Sequence, residues 1–463
     1  MSAIARGHVD GIGQRLLRLM LFATAYAAIV AMRTSLFPHG RPAVTWTERV
    51  LRLGSWCWVA AAPAAFAGLV SLVSAPARRR THTRRCTSLV SFRIVSRGRN
   101  ASALAETVGS IRAVMASQPL FRYLIEVVTD EPVDLPSGRD LRAYIVPSDY
   151  RTPNGSLFKA RALHYLGVTS DLPSKAWIFH CDEESWATLS LVAGIRDAIL
   201  EEEERAQAGV TPRIGQGTIL YHRNLRKHPV LTLADMLRTG DDITRFYTQF
   251  RTGALFCGMH GSFILVRGDV ERTVSFDVGP EGSVTEDAWW AYAQAYRGRE
   301  FRWVDGYLLE QSPESWRDFI RQRRRWYSGL WKVYVYAPAP LLSRAALLGF
   351  LMAWAVSCVG GLYTVVNLFT GLTTPAVPHV VGAVVFAWYL ATYLAGLHVN
   401  LAAMQEDERP RIPRRILLYA GQVLLMPIFG ALEAAGVAYA LMKPERGFHV
   451  VQKSPTARVA SAT

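Results

Sequence analysis

Trp177-Ile178-Phe179-His180-Cys181-Asp182-Glu183-Glu184-Ser185 is the stretch that decides how this chain is read. Three large apolar residues make a short buried strand, and acids follow where the strand ends. Upstream, Leu89–Val95, Tyr123–Thr129 and Ala143–Val146 are similar short apolar runs, and Ala103–Met115 carries helical spacing between the first two. Strands alternating with helices specify an α/β domain, here residues 86–335, with a mostly parallel, Rossmann-like sheet. In such sheets ligands bind beyond the carboxyl ends of the strands. Chemistry is therefore expected at Asp182 and Glu184, at Asp130 after the second run, and at Arg97 after the first.

Outside that domain the chain is built for a bilayer. Leu16 to Met32 is apolar apart from Arg18, and Leu53 to Ala75 carries no charge. Each approaches the roughly 20 residues needed to cross a hydrocarbon core. Residues 1–33 are thus a tail and first transmembrane helix, and 53–75 the second. The first lacks the cleavage site of a removable signal. Arg78-Arg79-Arg80 and Arg84-Arg85 follow the second run, which places that end and the α/β domain in the cytosol. Apolar runs return at 345–369 and 376–404, joined by an uncharged loop suited to the outer side. The next loop, Gln405–Arg415, is rich in arginine. Residues 416–442 contain Pro427 and Glu433, and a full span there would leave the basic tail, 443–463, outside. A Pro-broken re-entrant hairpin keeps the tail in the cytosol and is the preferred expectation, giving four full spans.

The composition agrees with a multi-pass membrane protein. Half of the 463 residues are hydrophobic and the formal net charge is +15. Much of the arginine flanks apolar runs, so membrane lipids account for it and no nucleic-acid polymer is expected as a partner. An Arg- and Ala-rich chain also suits a GC-rich bacterial genome, hence a plasma membrane. Five scattered cysteines without a CxxC pair exclude a disulfide scaffold and a structural zinc site. A transporter would carry ionisable groups along several spans; apart from Glu433 and a few histidines these are nearly bare.

Three constellations carry chemistry. Acids spaced i and i+2 at a strand end, Asp182 and Glu184, suit a hard divalent cation (Mg²⁺ or Mn²⁺) bridging the diphosphate of a nucleotide sugar. The plainer reading is a solvated helix N-terminus. Ser283-Val284-Thr285-Glu286-Asp287 runs into Ala288-Trp289-Trp290-Ala291-Tyr292. A carboxylate against such an aromatic wall suits a general base, because desolvation raises its pKa. The same residues suit a helix start capped by Thr285. In Gln322-Arg323-Arg324-Arg325-Trp326, a helix puts Gln322, Arg325 and Trp326 on one face. That face offers an amide, a guanidinium for phosphate oxygens and a ring for a sugar, whereas a merely basic juxtamembrane helix is the alternative. Lys159 is placed to reach the diphosphate, Arg97 the nucleoside and Asp130 the base. Phe256–Gly261 supplies small residues for an acceptor's approach, with His260 read as a core residue.

An acidic strand end, a Thr-Glu-Asp and a Gln-x-x-Arg-Trp, the last just before a membrane span, resemble the motif order of family 2, GT-A-fold, inverting glycosyltransferases. Cellulose and hyaluronan synthases belong there. More narrowly, Ile125–Pro132, Val146–Tyr150, Leu157–Leu163, Asp182-Glu183-Glu184, Ser275-Phe276-Asp277 and Phe448–Lys453 look like the egghead-type β-1,4-mannosyltransferases. The likeness covers most of residues 89–335. It implies inverting transfer of mannose from GDP-mannose to a membrane glycolipid or glycan acceptor. It also implies roles: Asp182 and Glu184 for the metal, Asp130 for the nucleotide, and Asp287 as base. Gln322, Arg325 and Trp326, with Glu286, would contact diphosphate and acceptor. Asp-Glu-Glu departs from the wider family's Asp-x-Asp. A processive polysaccharide synthase using a UDP- or GDP-sugar shares these motifs, and a catalytically inactive nucleotide sensor is the remoter alternative.

Overall fold

The computed structural model describes residues 11–36, 40–73 and 82–445. Arg78-Arg79-Arg80 and the tail segment Phe448–Lys453 lie outside the described residues. The chain begins with helices α1 (Gly11–Leu36), α2 (Trp46–Leu53) and α3 (Cys57–Val73). The α/β domain follows as β1 (Leu89–Ser96), α4 (Ala101–Ser117), β2 (Arg122–Thr129), β3 (Leu141–Ile145), α5 (Phe158–Thr169), β4 (Trp177–Asp182), α6 (Leu189–Gln207), β5 (Ile214–Leu220) and α7 (Pro229–Asp241). It closes with β6 (Ile264–Arg267), α8 (Glu286–Tyr296), β7 (Phe301–Leu309) and α9 (Trp316–Tyr336), and then come α10 (Leu341–Thr370), α11 (Ala376–Ala403), α12 (Ile412–Leu424) and α13 (Met426–Met442).

The strands form one sheet in the order β3-β2-β1-β4-β6-β5-β7. β1 runs parallel to β2 and β4, β2 to β3, and β5 to β7; β6 alone is reversed, against β4 and β5. The period-2 alternation of β1 sorts its side chains between the two faces. Val90, Phe92 and Ile94 are fully buried in one cluster with Leu104, Val108 and Ile111 of α4 and Leu191, Ile195 and Ile199 of α6. The opposite face holds Arg93 of β1, paired with Glu126 at 3.1 Å and with Glu271 at 2.8 Å, and His180 also bonds Glu271 at 2.7 Å. Each buried charge there has an opposite partner, as burial requires.

Among the described residues, three helical stretches are long and apolar enough to cross a membrane: Trp46–Leu72, Leu341–Thr370 and Ala376–Ala403. The first expected span is weaker, because the apolar part of α1 is only Leu16–Ala31. Arg18 near its start is buried and donates to the Ile243 carbonyl at 3.0 Å. α12 and α13 are apolar as a pair but bent by 51° at their junction. Pro427 sits in the first turn of α13, where its missing N–H and fixed φ suit a new helix start rather than continuation of the old one.

Candidate active site

Register brings the strand ends together. Ser96 lies opposite Thr129, and Val95 opposite Asp182, so Arg97, Asp130 and Asp182 emerge at one edge of the sheet. Reversed β6 arrives from that edge. Its neighbour Phe263 donates to the His180 carbonyl at 2.9 Å, which sets Gly261 and Ser262 beside Asp182. Behind these ends lies a cavity of about 940 Å³. Arg97, Asp130, Lys159, Asp182, Glu184, Glu286, Asp287, Gln322, Arg325 and Trp326 all line it.

Lys159 is the hub. Its ammonium donates to Asp182 Oδ1 at 2.5 Å and to the Gly261 carbonyl at 3.2 Å, and it lies 3.7 Å from Glu286. Burial alone would lower its pKa; Asp182, Glu286 and Asp287 outweigh that and hold it above its ordinary value. The turn that aims it is strained, since Phe158, the preceding residue, has φ 52°. A left-handed Phe costs on the order of 1–3 kcal/mol and persists only when its surroundings over-determine it. Asp277 does much of that fixing by accepting from the Asn154 N–H at 2.7 Å and the Ser156 hydroxyl at 2.9 Å.

Glu286 and Asp287 open α8. Glu286 is buried and Asp287 half-buried. Burial pushes both carboxyl pKa values up; Asp287 adds to the rise at Glu286, while Lys159 and Arg325 oppose it at both. The Ala288 N–H donates to Asp287 Oδ1 at 2.8 Å and fixes the carboxylate. Gly261 makes the close approach possible: a Cβ there would sit 2.9 Å from Asp287 Oδ2 and 3.0 Å from Lys159 Nζ. Thr285 occupies the cap position but its hydroxyl makes no cap hydrogen bond. It is instead packed against α9, where a Cβ on Gly329 would lie 2.3 Å from Thr285 Cγ2. The expected N-cap is thus corrected to a helix–helix contact.

α9 forms one wall. Arg325 faces Glu286, Asp287 and Asp182, which raise its pKa, although burial outweighs them and leaves it below the ordinary value. Arg323 is fully buried and donates to Asp235 at 2.8 Å, to Glu433 at 2.5 Å and to the Gln322 side-chain oxygen at 3.0 Å. Its guanidinium also lies over the Trp326 ring at 4.4 Å. At the far side Asp130 accepts from Arg161 at 2.6 Å, and Arg97 lies over the Phe158 ring at 5.7 Å.

Several cavity residues escaped the sequence. Glu310, directly after β7, accepts from Ser262 and lies 3.7 Å from Arg238. An acid after a strand was the available signal, but β7 went unrecognised. His260 is no core residue: it lines the cavity and bonds Asp242 at 2.5 Å. The Asp182–Glu184 pair fits a divalent cation only in part-shares. Among the described residues no three His, Cys, Asp or Glu side chains group as a complete ligand set. Two carboxylates do suit a Mg²⁺ or Mn²⁺ that draws its remaining ligands from a diphosphate and water.

A Rossmann-like sheet with an acidic strand end, two further carboxylates and a basic, aromatic helix wall, flanked by helices long and apolar enough to cross a membrane, defines a GT-A-type glycosyltransferase. Residues 177–404 match the glycosyl transferase family group 2 model. The chain is 30% identical to the β-1,4-mannosyltransferase egh of Drosophila melanogaster over 368 residues, covering 79% of this chain and 78% of that one. It is 28% identical, with the same coverage, to bre-3 of Caenorhabditis elegans, also a β-1,4-mannosyltransferase. A solved mannosyltransferase from Pyrobaculum calidifontis, in complex with GDP-Man and Mn²⁺, aligns with a TM-score of 0.46 at 16% identity, covering 85% of this chain and all of that one. The chain belongs to the family 2 glycosyltransferases and, within them, to the egghead-type β-1,4-mannosyltransferase family.

Proposed function

We propose that this enzyme transfers mannose from GDP-mannose to a hydroxyl of a membrane glycolipid or glycan, with inversion and a β-1,4 bond, on the cytosolic face. The observation that carries this reading is the meeting of Asp287, Glu286, Asp182, Lys159 and Arg325 in one cavity. The acceptor O–H gives its proton to the Asp287 carboxylate as its oxygen bonds to the anomeric carbon. The bond from that carbon to the diphosphate oxygen breaks, and GDP leaves carrying the electron pair. Lys159 and Arg325 are fixed cations facing the place where that charge grows, and cations already in position cost no reorganisation. Asp182 and Glu184 would hold a Mg²⁺ or Mn²⁺, which when bound neutralises diphosphate charge. Arg97 and Asp130 take the nucleoside end, and Gln322 and Trp326 give the acceptor an amide and a ring.

The test is nucleotide release by the full chain in lipid nanodiscs with Mg²⁺ or Mn²⁺ across GDP- and UDP-sugars. Selective GDP release from GDP-mannose is expected. Selective UDP release would keep the transferase and discard the mannosyl donor.

A further inference from the structure

We propose that Arg223 is a positioning residue for the acidic loop, holding the backbone between Asp182 and Glu184 in a shape that lets both carboxylates share one divalent cation. This rests on the reading of that pair as the cation's protein ligands and adds what keeps them in register. Acids two residues apart grip one ion only if the peptides between them are fixed, and a loop beyond a strand end is not fixed by the sheet. Here other elements reach in to fix it. Thr107 of α4 donates to the Glu183 carbonyl at 2.7 Å. The Asp182 N–H donates to the Ser185 hydroxyl at 3.1 Å, and Trp186 exchanges backbone hydrogen bonds with Leu309 of β7 at 2.8 and 3.0 Å. At Glu184 the donor is Arg223, whose Nη1 lies 2.6 Å from the carbonyl oxygen.

Arg223 reaches the loop from the turn after β5 and is held on two further sides. Its Nη2 donates to Glu106 of α4 at 3.2 Å, and its guanidinium lies over the Trp186 ring at 3.4 Å. The turn that carries it is anchored in its own right. The Tyr221 N–H donates to Asn400 of α11 at 2.8 Å, and the Asn224 side chain donates to the Ser312 carbonyl at 3.2 Å. Burial pulls the Arg223 pKa down to about 10, and Glu106 and Glu310 recover only part of that fall. A charge held against its own desolvation is a poor source of stability. A planar fork can nevertheless donate to a carbonyl and a carboxylate while stacking on a ring, a combination that lysine does not offer. Groups that orient a metal's ligands in this way set its affinity by about 10–100-fold.

Charge and position predict opposite signs. Removing a cation beside a cation site tightens metal binding by charge alone, whereas releasing the loop loosens it. The full chain in phosphatidylcholine nanodiscs, saturated with GDP, is titrated with Mn²⁺ and the free ion counted by EPR, for wild type, Arg223→Met and Arg223→Lys. The Met variant should bind Mn²⁺ at least about tenfold more weakly, and the Lys variant at least about threefold. In GDP release from GDP-mannose the half-saturating Mn²⁺ concentration should rise alike, while the rate at excess Mn²⁺ stays within threefold of wild type. General damage to the fold does not give that split. Affinity unchanged or tightened in both variants overturns the positioning role, as does a lowered rate at excess Mn²⁺ with an unchanged half-saturating concentration. If the Met variant does not fold, the Lys variant decides by its own threefold criterion. A wild type that releases GDP but binds no Mn²⁺ overturns the cation reading and this inference together. Mn²⁺ binding without GDP release from any sugar nucleotide overturns the transfer reading, and the titration still decides Arg223.

Discussion

Replacing Arg323 by Met should be the most damaging single change outside the reacting groups. Arg323 is 1% exposed, and its guanidinium lies 2.8 Å from Asp235 of α7 and 2.5 Å from Glu433 of α13. Met fills similar volume but leaves buried Glu433 without its cation and strips Asp235 of its nearer one. Breaking a buried pair from one side costs about 3–5 kcal/mol, and the Gln322 side chain also loses its donor at about 1 kcal/mol. Asp235 keeps Arg238 at 3.6 Å, which favours the lower end of that range. A loss of about 3 kcal/mol lowers Tm by on the order of 3 °C in a chain of 463 residues. The assay is a double-mutant cycle by thermal unfolding in nanodiscs, with Arg323→Met, Glu433→Gln and the pair. Neutralising Glu433 removes one stranded charge, so the double variant should be at least 1 kcal/mol more stable than the sum of the singles. Strict additivity, or a single-variant loss under about 1 kcal/mol, would refute the reasoning.

Three further outcomes follow from the same packing. Gly261→Ala puts a methyl within 3.0 Å of both Asp287 and Lys159; kcat should fall tenfold or more while Tm holds, as steady-state rates and melting will tell. Gly329→Ala drives a Cβ to 2.3 Å from Thr285 Cγ2 and should cost about 1–3 kcal/mol by overpacking, a loss that adding Thr285→Ala recovers on melting. Glu286 has its pKa raised, chiefly by burial. A raised carboxyl pKa means the folded state holds its proton more tightly, so the stability it lends is complete below the ordinary value and lost as pH rises through the folded one. Glu286→Gln should therefore gain Tm over wild type at pH 8 and lose that gain by pH 4; an equal difference at both pH values contradicts the assignment.

What the sequence disclosed, and what it hid, has physical causes. β1, β2, β3 and β4 were legible because each is a short apolar run that alternates with turns or a helix. β5 was not, because Gly215 and Gly217 read as turn residues. They are strand residues whose missing side chains admit Val304 and Phe263, to which a Cβ would come within 2.5 Å and 2.3 Å. β7 was masked by Arg302, Asp305 and Gly306, the last at φ 99° where the pairing with β5 slips register. Glu310 and Arg238 were lost with those strands. Asp182, Asp287 and the Gln322–Trp326 face were legible from local features: a strand end, a helix start and one helix face. Arg323 could not be ranked above its neighbours Arg324 and Arg325, since its partners lie 88 and 110 residues away.

Asp287 is the group proposed to take the acceptor's proton. Asp287→Asn keeps the shape and the Lys159 contacts of the cavity while removing the base. Transfer from GDP-mannose, followed as labelled product, should fall by at least a hundredfold, with GDP-mannose binding within threefold of wild type and an unchanged melt. Transfer near the wild-type rate in that variant would contradict the mechanism at its centre.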